Sequence, residues 1–385
     1  MSPAFSGLGP TVGTYAERLA IASPQIGQLF YQTDTDEYVK YGTDTDGTNR
    51  WMMADHDYGR NLVVNGGFDV WQRATSATTS TADYYGPADR WQTTRLSSDT
   101  GRTFSRQPVT SSDTPVSGFT YFMRCQRDVS NAAVNSILMA TSFETTSVRR
   151  TQNKYVTLSF FARAGANYSA ASGFLRAFIT TGTGTDGRLI TSTFTSSATL
   201  VDSNNVLTTS WKRFTVTTSA PVGSTVTQMG ITFQFSPVGT AGAADYYDIT
   251  GVQLEACSAP SEFEFEPLET TLRKCQRYYF RNTADANYSS IAIGCSYSTT
   301  NAIVVIYLPT KLRTAPTGTV EYASLRMWNP VSGTAPAVNS ITYDWASSTT
   351  CAINVGTPGT VTAGTPVLLQ GNNTAGAYVG ISAEL

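Results

Sequence analysis

The stretch DYYGPADRW, residues 83–91, combines aromatic rings with charged side chains in a way that suits sugar binding. A pyranose ring has apolar faces and a polar rim, so its site needs an exposed aromatic platform with hydrogen-bonding side chains beside it. The candidates are Tyr84, Tyr85, Asp89, Arg90 and Trp91. The alternative is structural: Trp91 anchors the core, and Asp89 pairs with Arg90 or caps a turn.

Residues with catalytic chemistry are sparse. His56 is the single histidine and stands in the polar stretch MADHDYGR, so a Ser-His-Asp or Cys-His device is not expected. Glycoside hydrolysis needs only two carboxylates. The densest acidic cluster is Glu262, Glu264, Glu266 and Glu269. The first three alternate with phenylalanine, as on an exposed strand or linker, and the fourth suits the first turn of a helix. We therefore predict that the protein is not an enzyme.

Two D-x-D pairs, Asp34 with Asp36 and Asp44 with Asp46, occur near the N-terminus. An EF-hand loop would need further ligands at fixed offsets and a glycine at its sixth position, which neither pair supplies. Aspartate side chains in turns accept hydrogen bonds from nearby backbone amides. We interpret both pairs as turn residues that cap strands.

The charge is balanced, since 26 basic and 28 acidic residues give a net charge of −2. The sequence has no basic field for nucleic acid, no polybasic run for an anionic membrane and no stretch of 18 apolar residues. The five cysteines stand far apart without a C-x-x-C pair, which predicts buried free thiols. Arginine outnumbers lysine by 21 to 5, and its forked hydrogen bonds and stacking favour subunit contacts.

Abundant threonine with 20 Tyr, 18 Phe and 31 Gly predicts a mainly β protein. Residues 1–60 form its first predicted segment. Thr14 and Glu17 have capping-box spacing and Pro24 is a stop signal, which predicts a short helix over about residues 14–22. Three short β runs follow, separated by Asp/Thr/Gly turns, and predict a β-meander with strands at residues 29–31, 38–41 and 50–52.

Residues 61–266 show the alternation of a β-sandwich. The stretch NLVVNGGFDVWQR, which begins at Asn61, predicts the opening strand, and YYDITGVQLE predicts the closing strand. In the closing strand the apolar phase slips after Ile249, which predicts a β-bulge at Gly251. The clear strands cover residues 155–164, 173–180, 211–218, 230–235 and 246–255, of which the last is the closing strand.

Residues 267–385 begin with a predicted short helix and continue with β segments that predict a small β-sandwich. In PLETTLRKCQRYYF, a proline suits the first helical turn, and apolar residues recur at spacings of four, three and four. A single helix must bury such a stripe against something, and a symmetry mate is a natural partner. The candidate oligomer interface is therefore Leu268, Leu272, Cys275 and Tyr279.

Several motifs resemble those of tail fibres and other virion structural proteins of tailed bacteriophages. The meander carries a similar short repeat, in which Gly27, a Leu-aromatic pair, T-D-T, Y-V, Gly42 and a tryptophan follow in order. The strings CQRYYF at 275–280 and LPTKLRTAPTGTV at 308–320 are similar to their terminal domain. The resemblance implies a homotrimer whose residues 1–60 dock to phage tail or capsid proteins.

The central part resembles the jelly-roll sandwiches of carbohydrate-binding modules, in the variant found in phage virion proteins. The resemblance rests on NLVVNGGFDVWQR, ADRW and YYDITGVQLE, in that order. It implies a structural calcium ion beside the opening strand, and the residues that match its position are Asn65, Asp69 and Asp248. No other cofactor is expected.

These features predict a non-enzymatic virion protein, a tail fibre or receptor-binding protein that attaches the phage particle to host surface glycans. The N-terminus MSPAFSGLGPTVG lacks the features of a secretory signal, so we expect synthesis in the host cytoplasm and assembly into the virion. One alternative is a capsid or tail decoration protein without its own ligand. Another is a polysaccharide depolymerase, although the sequence contains no long β-helix repeat.

Overall fold

Two compact units make up the chain, and they divide between Glu266 and Pro267. The first unit takes residues 1–266 together with Leu385, so the predicted N-terminal segment belongs to the same unit as the sandwich. Strands account for 43% of the protein and helices for 7%, so it is mainly β, as predicted. The computed structural model describes residues 10–54, 59–78, 84–95, 101–190 and 194–385.

A four-stranded sheet forms the described N-terminal part of the first unit, with β1 (Thr11–Gly13), β2 (Leu29–Gln32), β3 (Glu37–Thr43) and β4 (Asn49–Met53). The predicted meander is confirmed. Strand β1, which pairs in parallel with β2, was not predicted because three residues are too few to show an alternation.

Helix α1 (Tyr15–Leu19) precedes β2 and begins with the predicted capping box. The side chain of Thr14 accepts a hydrogen bond from the Glu17 amide, and the Glu17 carboxylate accepts one from the Thr14 amide. The helix is shorter than the predicted span of residues 14–22. Leu19 is exposed, so burial of an apolar face does not extend it.

Buried polar contacts join the four-stranded sheet to the rest of the first unit. Nη1 of Arg213 donates to both carboxylate oxygens of Asp44 at 2.9 Å, and the two side chains are 1% and 0% exposed. Oδ1 of Asp44 also accepts from the Thr45 amide, as expected for a turn residue. Asp44 therefore does more than cap a turn, because it fixes the sheet to a strand far along the chain.

The next strands in chain order are β5 (Ser76–Thr78), β6 (Tyr84–Tyr85), β7 (Gln92–Arg95), β8 (Arg102–Pro108), β9 (Tyr121–Arg127), β10 (Ile137–Ser142), β11 (Thr157–Ala164), β12 (Phe174–Gly182), β13 (Ala198–Val206), β14 (Lys212–Thr217), β15 (Gln228–Phe235) and β16 (Tyr246–Glu255). The short helix α2 (Thr145–Val148) leads into the 3-10 turn Arg149–Thr151, and a second 3-10 turn covers Ala171–Gly173. In this part of the chain the described residues form two six-stranded sheets.

The two sheets pack face to face as a jelly-roll sandwich, which confirms the predicted fold class. The first sheet has the order β13-β12-β15-β10-β7-β6 and the second the order β14-β11-β16-β9-β8-β5. From β9 onward successive strands alternate between the sheets, apart from the β12-β13 hairpin. Their inner faces meet in one core, in which Phe160 packs on Phe214 and Phe233.

The stretch predicted as the opening strand is not a strand. Residues 61–74 form turns and irregular backbone, because Asn65 and Phe68 have φ angles of 62° and 57°. The Asn65 side chain accepts a hydrogen bond from the Val70 amide and donates one to the Val70 carbonyl. Val70 therefore bonds to this side chain and not to a neighbouring strand. The predicted bulge is confirmed: β16 shifts register against β11, and Gly251 has a φ of 60°.

The second unit begins with helix α3 (Leu268–Gln276). Its strands are β17 (Tyr279–Thr283), β18 (Ser290–Ser296), β19 (Asn301–Tyr307), β20 (Glu321–Ala323), β21 (Leu325–Trp328), β22 (Ser340–Ala346), β23 (Thr350–Gly356), β24 (Pro366–Gly371) and β25 (Tyr378–Ser382). A three-stranded sheet of order β17-β25-β20 and a six-stranded sheet of order β21-β24-β18-β19-β23-β22 share one core, as the predicted small β-sandwich requires. Among the described helices of the chain, none is long and apolar enough to span a membrane.

Candidate functional site

Trp91, the predicted centre of a sugar platform, lies in the core of the jelly roll. Its side chain has no exposed surface, and its ring stacks on Phe68 with 5.1 Å between centroids. Its indole Nε1 donates to the carbonyl of Asn65 at 3.1 Å. A fully buried ring offers no face to a pyranose, so the structural alternative for Trp91 is correct and the platform assignment is wrong.

Asp89 and Arg90 are also buried, with 1% and 2% of their surface exposed. Oδ1 of Asp89 accepts from the Gln72 amide at 3.0 Å, and Nη2 of Arg90 donates to the carbonyl of Ser142 at 2.8 Å. Both side chains thus hold loops in place, and their assignment to a sugar platform is corrected for the same reason as that of Trp91.

The two tyrosines of the same motif lie on the edge strand β6. Tyr85 is half-buried, and the guanidinium carbons of Arg73 and Arg90 lie 5.8 Å from its ring centroid. The side chain of Tyr84 lies outside the described residues. Their part in sugar binding stays a prediction.

Asp248, one of the three residues matched to a calcium site, is engaged by two arginines. Its Oδ1 accepts from Nε of Arg124 at 2.7 Å, and its Oδ2 accepts from Nε of Arg163 at 2.8 Å. The carboxylate has no exposed surface. Two guanidinium groups already neutralise it, so its assignment as a calcium ligand is corrected.

Asn65 and Asp69 lie together in the turn that replaces the opening strand. The Asn65 side chain spans the turn through its two bonds to Val70. Burial raises the pKa of the Asp69 carboxyl, and a hydrogen bond with Thr120 acts against this shift. Within the described ranges, no group of three or more His, Cys, Asp or Glu side chains is placed to hold a metal. Calcium binding stays a prediction, which calorimetric titration with calcium chloride would test.

Only part of the predicted interface stripe of the C-terminal helix is exposed at the surface. Leu268 is 59% exposed and Leu272 is half-buried, whereas Cys275 and Tyr279 are fully buried in the monomer. The helix ends at Gln276, and Tyr279 is the first residue of β17, where its hydroxyl donates to Glu321 at 2.7 Å. Cys275 and Tyr279 are therefore core residues of the monomer and not interface residues.

The outer face of the second jelly-roll sheet is covered by its own chain. The ring of Phe119, in the loop before β9, packs on Phe263 and Phe265 with centroid distances of 4.9 Å and 4.8 Å. A separate apolar cluster forms under this cover, consisting of Val116, Phe119, Phe122, Phe161 and Trp211. These rings therefore pack against one another, and Phe265 on the outside of the cover is 57% exposed.

Asp113 fastens this covering loop. Its Oδ1 accepts from Nη1 of Arg163 at 2.6 Å and from the Trp211 indole at 3.1 Å, and its Oδ2 accepts from the Thr110 amide and hydroxyl. Burial acts to raise the pKa of Asp113, but these hydrogen bonds and the Arg163 charge outweigh it and lower the pKa to about 2.

Acid should loosen this loop through Asp113. Because the folded-state pKa lies below the unfolded value, the stabilisation is complete above about pH 4 and is lost as the pH falls toward 2. A shift of this size corresponds to about 2 kcal/mol. Asp113→Asn should flatten the fall in the free energy of unfolding between pH 5 and pH 2 by that amount, measured by urea denaturation. Parallel curves for the two proteins would contradict this role.

An open cleft of about 1020 Å³ lies within the first unit, where the four-stranded sheet meets the sandwich. The turn between β2 and β3 and the start of β3 form one side. Residues 150–155, which precede β11, and Pro221 contribute from the sandwich. The end of β16 and residues 59–62 complete the lining.

Among the described residues, two tyrosines line this cleft, and each packs against a second aromatic ring. Tyr38, at the start of β3, is 44% exposed, and its ring packs on Tyr31 with 4.7 Å between centroids. Tyr155 is half-buried and packs on Tyr15 at 4.5 Å. Rings supported in this way lose little conformational freedom when a ligand stacks on them.

Hydrogen-bonding groups of both charges line the same cleft. On the meander side, Asp36 accepts from the Tyr31 hydroxyl at 2.7 Å, and Glu37 accepts from the side chains of Gln32 and Ser258. On the sandwich side, a basic and amide group stands at the surface, consisting of Arg150, Asn153 and Lys154. The arrangement can hydrogen-bond to a polyhydroxylated ligand from two sides.

The sequence contains a signal for this cleft that the prediction did not use. Tyr38 precedes the buried Val39 in the run EYVKY, so the alternation of β3 places Tyr38 on the exposed side. The sequence could not show the opposite wall, because residues 150–155 lie more than 100 positions away and are brought there only by the fold.

No protein-family description matches the chain, and no curated protein matches it in sequence. Among solved structures, the enzymatically active domain of tailspike protein 4 from bacteriophage CBA120 matches 51% of this chain at 12% identity with a TM-score of 0.31. The chain covers only 21% of that tailspike domain's length.

Two carbohydrate-binding modules are similar at the same level. TmCBM61, solved with β-1,4-galactotriose, matches 51% of this chain and 99% of its own at 13% identity, with a TM-score of 0.30. The C-terminal family 22 module of Clostridium thermocellum Xyn10B matches 44% of this chain and 87% of its own at 12% identity, with a TM-score of 0.27. Likeness this low leaves the function to be argued from the chain's own residues.

Proposed function

We propose that this protein is a non-enzymatic virion component of a tailed bacteriophage, a homotrimeric tail fibre or receptor-binding protein that attaches the particle to host surface glycans. The proposal of glycan binding rests on the cleft between the four-stranded sheet and the jelly roll. The sequence motifs that resemble phage fibre proteins support the virion part, with synthesis in the host cytoplasm.

The chemistry of the cleft suits a saccharide. Its volume lies at the upper end of the usual range for ligand sites, enough for several sugar residues. Tyr38 and Tyr155 supply ring surfaces for the apolar faces of a pyranose, and carboxylates, an amide and basic groups supply partners for its hydroxyls. Basic groups at Arg150 and Lys154 also suit acidic sugars or phosphorylated surface glycans.

The N-terminal segment has surface suited to docking on tail or capsid proteins. It exposes several large apolar side chains, with exposed fractions between 43% and 66%, namely Val12, Leu19, Ile26 and Leu29. Scattered exposed apolar residues are common, but four within 18 positions of a short segment favour a protein contact.

A binding role without catalysis is supported by the bonding of the cleft carboxylates. Glu37 is held by Gln32 and Ser258, and Glu255 is held by Ser261 and by Arg60, whose Nε lies 3.4 Å from Oε2. Carboxylate oxygens that already accept hydrogen bonds within the protein are less free to act as the acid and base on a bound glycan.

Binding should depend on Tyr38. We expect the full-length protein to bind a member of a panel of bacterial surface glycans consisting of lipopolysaccharides, capsular polysaccharides and wall teichoic acids. Tyr38→Ala should weaken the affinity for a soluble fragment of that glycan at least about tenfold, measured by calorimetry, because the stacking surface is lost. Soluble fragments are needed because a multivalent surface would mask the loss.

Tyr288→Ala is the matched control, since Tyr288 is also 44% exposed but lies in the second unit. Its affinity should equal that of the unchanged protein, and both variants should keep the melting temperature. Failure of the unchanged protein to bind any glycan would favour the decoration protein without a ligand. Release of reducing ends from a bound glycan would favour the depolymerase.

A further inference from the structure

The six-stranded sheet of the second unit has an apolar outer face. The strand register places one residue from each of its six strands in a continuous row. All six are apolar, and in sheet order they are Trp328, Leu368, Ile293, Val305, Ala352 and Trp345. The inner face of the same sheet forms the core of the unit, so this apolar row lies on the face that points away from the core.

This outer face is exposed in the monomer. Trp345 is 78% exposed and Ile293 is 62% exposed. Tyr307 at the end of β19 and Tyr297 in the turn after β18 extend the face, with exposed fractions of 77% and 55%. An antiparallel sheet that faces water normally alternates apolar and polar residues, whereas a sheet covered on both sides is apolar throughout. The uninterrupted apolar row on this outer face is the pattern expected of a sheet that is covered on both sides.

The jelly roll of the first unit provides the contrast. On the outer face of its first sheet, Arg176 on β12 forms an ion pair with Asp202 on β13, which lies diagonally across from it in the strand register. The four central strands of the second-unit sheet, β24, β18, β19 and β23, contain no charged residue. Water is the expected neighbour of the first surface but not of the second.

We propose that this outer face of the second unit is the surface through which copies of the chain associate. The four most exposed side chains alone present roughly 500 Å² of largely apolar area, taking about 150–250 Å² for each aromatic residue. A standard interface takes about 800 Å² from each partner, and the half-buried residues of the row supply the remainder. A patch of this size lies toward the upper end of what a typical monomer exposes, and such patches are often functional.

A second copy is the occupant that the charge distribution favours. When this face of each copy is turned toward a three-fold axis, it meets the same face of the other two copies, so a charged face would set like charges against one another. The central strands avoid this cost because they carry no charge. This surface replaces the helix stripe predicted from sequence, and it adds the place of contact to the homotrimer of the proposed function.

Ile293→Glu tests the proposal because Ile293 lies near the centre of the row. The unchanged protein should be oligomeric by sedimentation velocity at micromolar concentration, and Ile293→Glu should raise the dissociation constant at least tenfold. Val331→Glu is the matched control: Val331 is 63% exposed in the same unit but lies in the turn after β21. It should associate like the unchanged protein. Both variants should keep the far-ultraviolet circular dichroism of the unchanged protein, which reports the backbone fold.

Cys295 gives a second measurement on the same face. It is exposed and occupies the next outward position on β18 after Ile293, whereas the other four cysteines are buried. Maleimide should label Cys295 slowly in the oligomer and quickly in Ile293→Glu. A monomeric unchanged protein, or an Ile293→Glu variant that stays oligomeric, would overturn the proposal.

The glycan measurements keep this proposal separate from the proposed function. The dissociated Ile293→Glu variant should bind a soluble glycan fragment with unchanged affinity but lose avidity for whole cells. Tyr38→Ala should remain oligomeric. If glycan binding fails while association and Cys295 protection hold, the association surface stands and only the ligand assignment falls.

Discussion

Arg213→Met should lower the free energy of unfolding by about 3–5 kcal/mol, because it leaves the Asp44 carboxylate buried without its main partner. Arg213 also bonds to Ser159 Oγ at 3.0 Å and to the carbonyl of Ser261, so one side chain links the sheet, the jelly roll and the segment after β16. Arg50, whose Nε lies 3.2 Å from Asp44, offers partial compensation and should keep the loss near the lower value.

Urea denaturation and hydrogen exchange would measure this loss. A decrease of about 3 kcal/mol should lower the melting temperature by roughly 6–12 °C, and the amides of β2 to β4 should exchange faster than those of the jelly roll. The double variant Asp44→Asn with Arg213→Met is the control, and it should recover part of the loss because the unpaired charge is gone. A single variant as stable as the unchanged protein would show that the ion pair does not join these parts.

Trp91→Ala should lower the free energy of unfolding by about 3–5 kcal/mol without changing glycan affinity in the molecules that remain folded. The ring fills the core against Phe68 and Phe233, with centroid distances of 5.1 Å and 6.3 Å, and its indole bond to Asn65 would be lost as well. Removing it leaves a cavity that neighbouring strands cannot fully close.

Trp91→Phe separates the two roles that the sequence left open. It keeps an aromatic ring in the core, so it should lose less stability than Trp91→Ala, and calorimetry below the melting temperature should give the glycan affinity of the unchanged protein. A loss of affinity in either variant, with stability retained, would return Trp91 to the binding site.

Five strands of the jelly roll, β11, β12, β14, β15 and β16, could be predicted because alternation is a local property of the sequence. The bulge at Gly251 was visible for the same reason, as a slip in that alternation. The stretch from Asn61 reads as a strand by composition, but the positive φ angles at Asn65 and Phe68 interrupt it. A residue other than glycine in that conformation leaves little trace in a sequence, because surrounding contacts hold it there.

The site was harder to predict because it depends on which residues are buried by distant parts of the chain. Trp91 in ADRW looks alike whether its ring faces water or the core, and only the packing of Phe68 and Phe233 decides between them. Asp44 has its partner 169 positions away, so it could be interpreted only as a turn residue. Tyr38 could have been identified as exposed, since its place on an alternating strand was predicted and only its position in the cleft was missed.

The buried pair of Asp44 and Arg213 also bears on how such genes can recombine. A chimera joined near residue 60 would pair one parent's Asp44 with another parent's position 213. A mismatch would leave a charged side chain buried without a partner. An exchange at the junction of Glu266 and Pro267 would cut neither that pair nor either sandwich core. Natural exchange between related genes should therefore leave its crossovers at that junction.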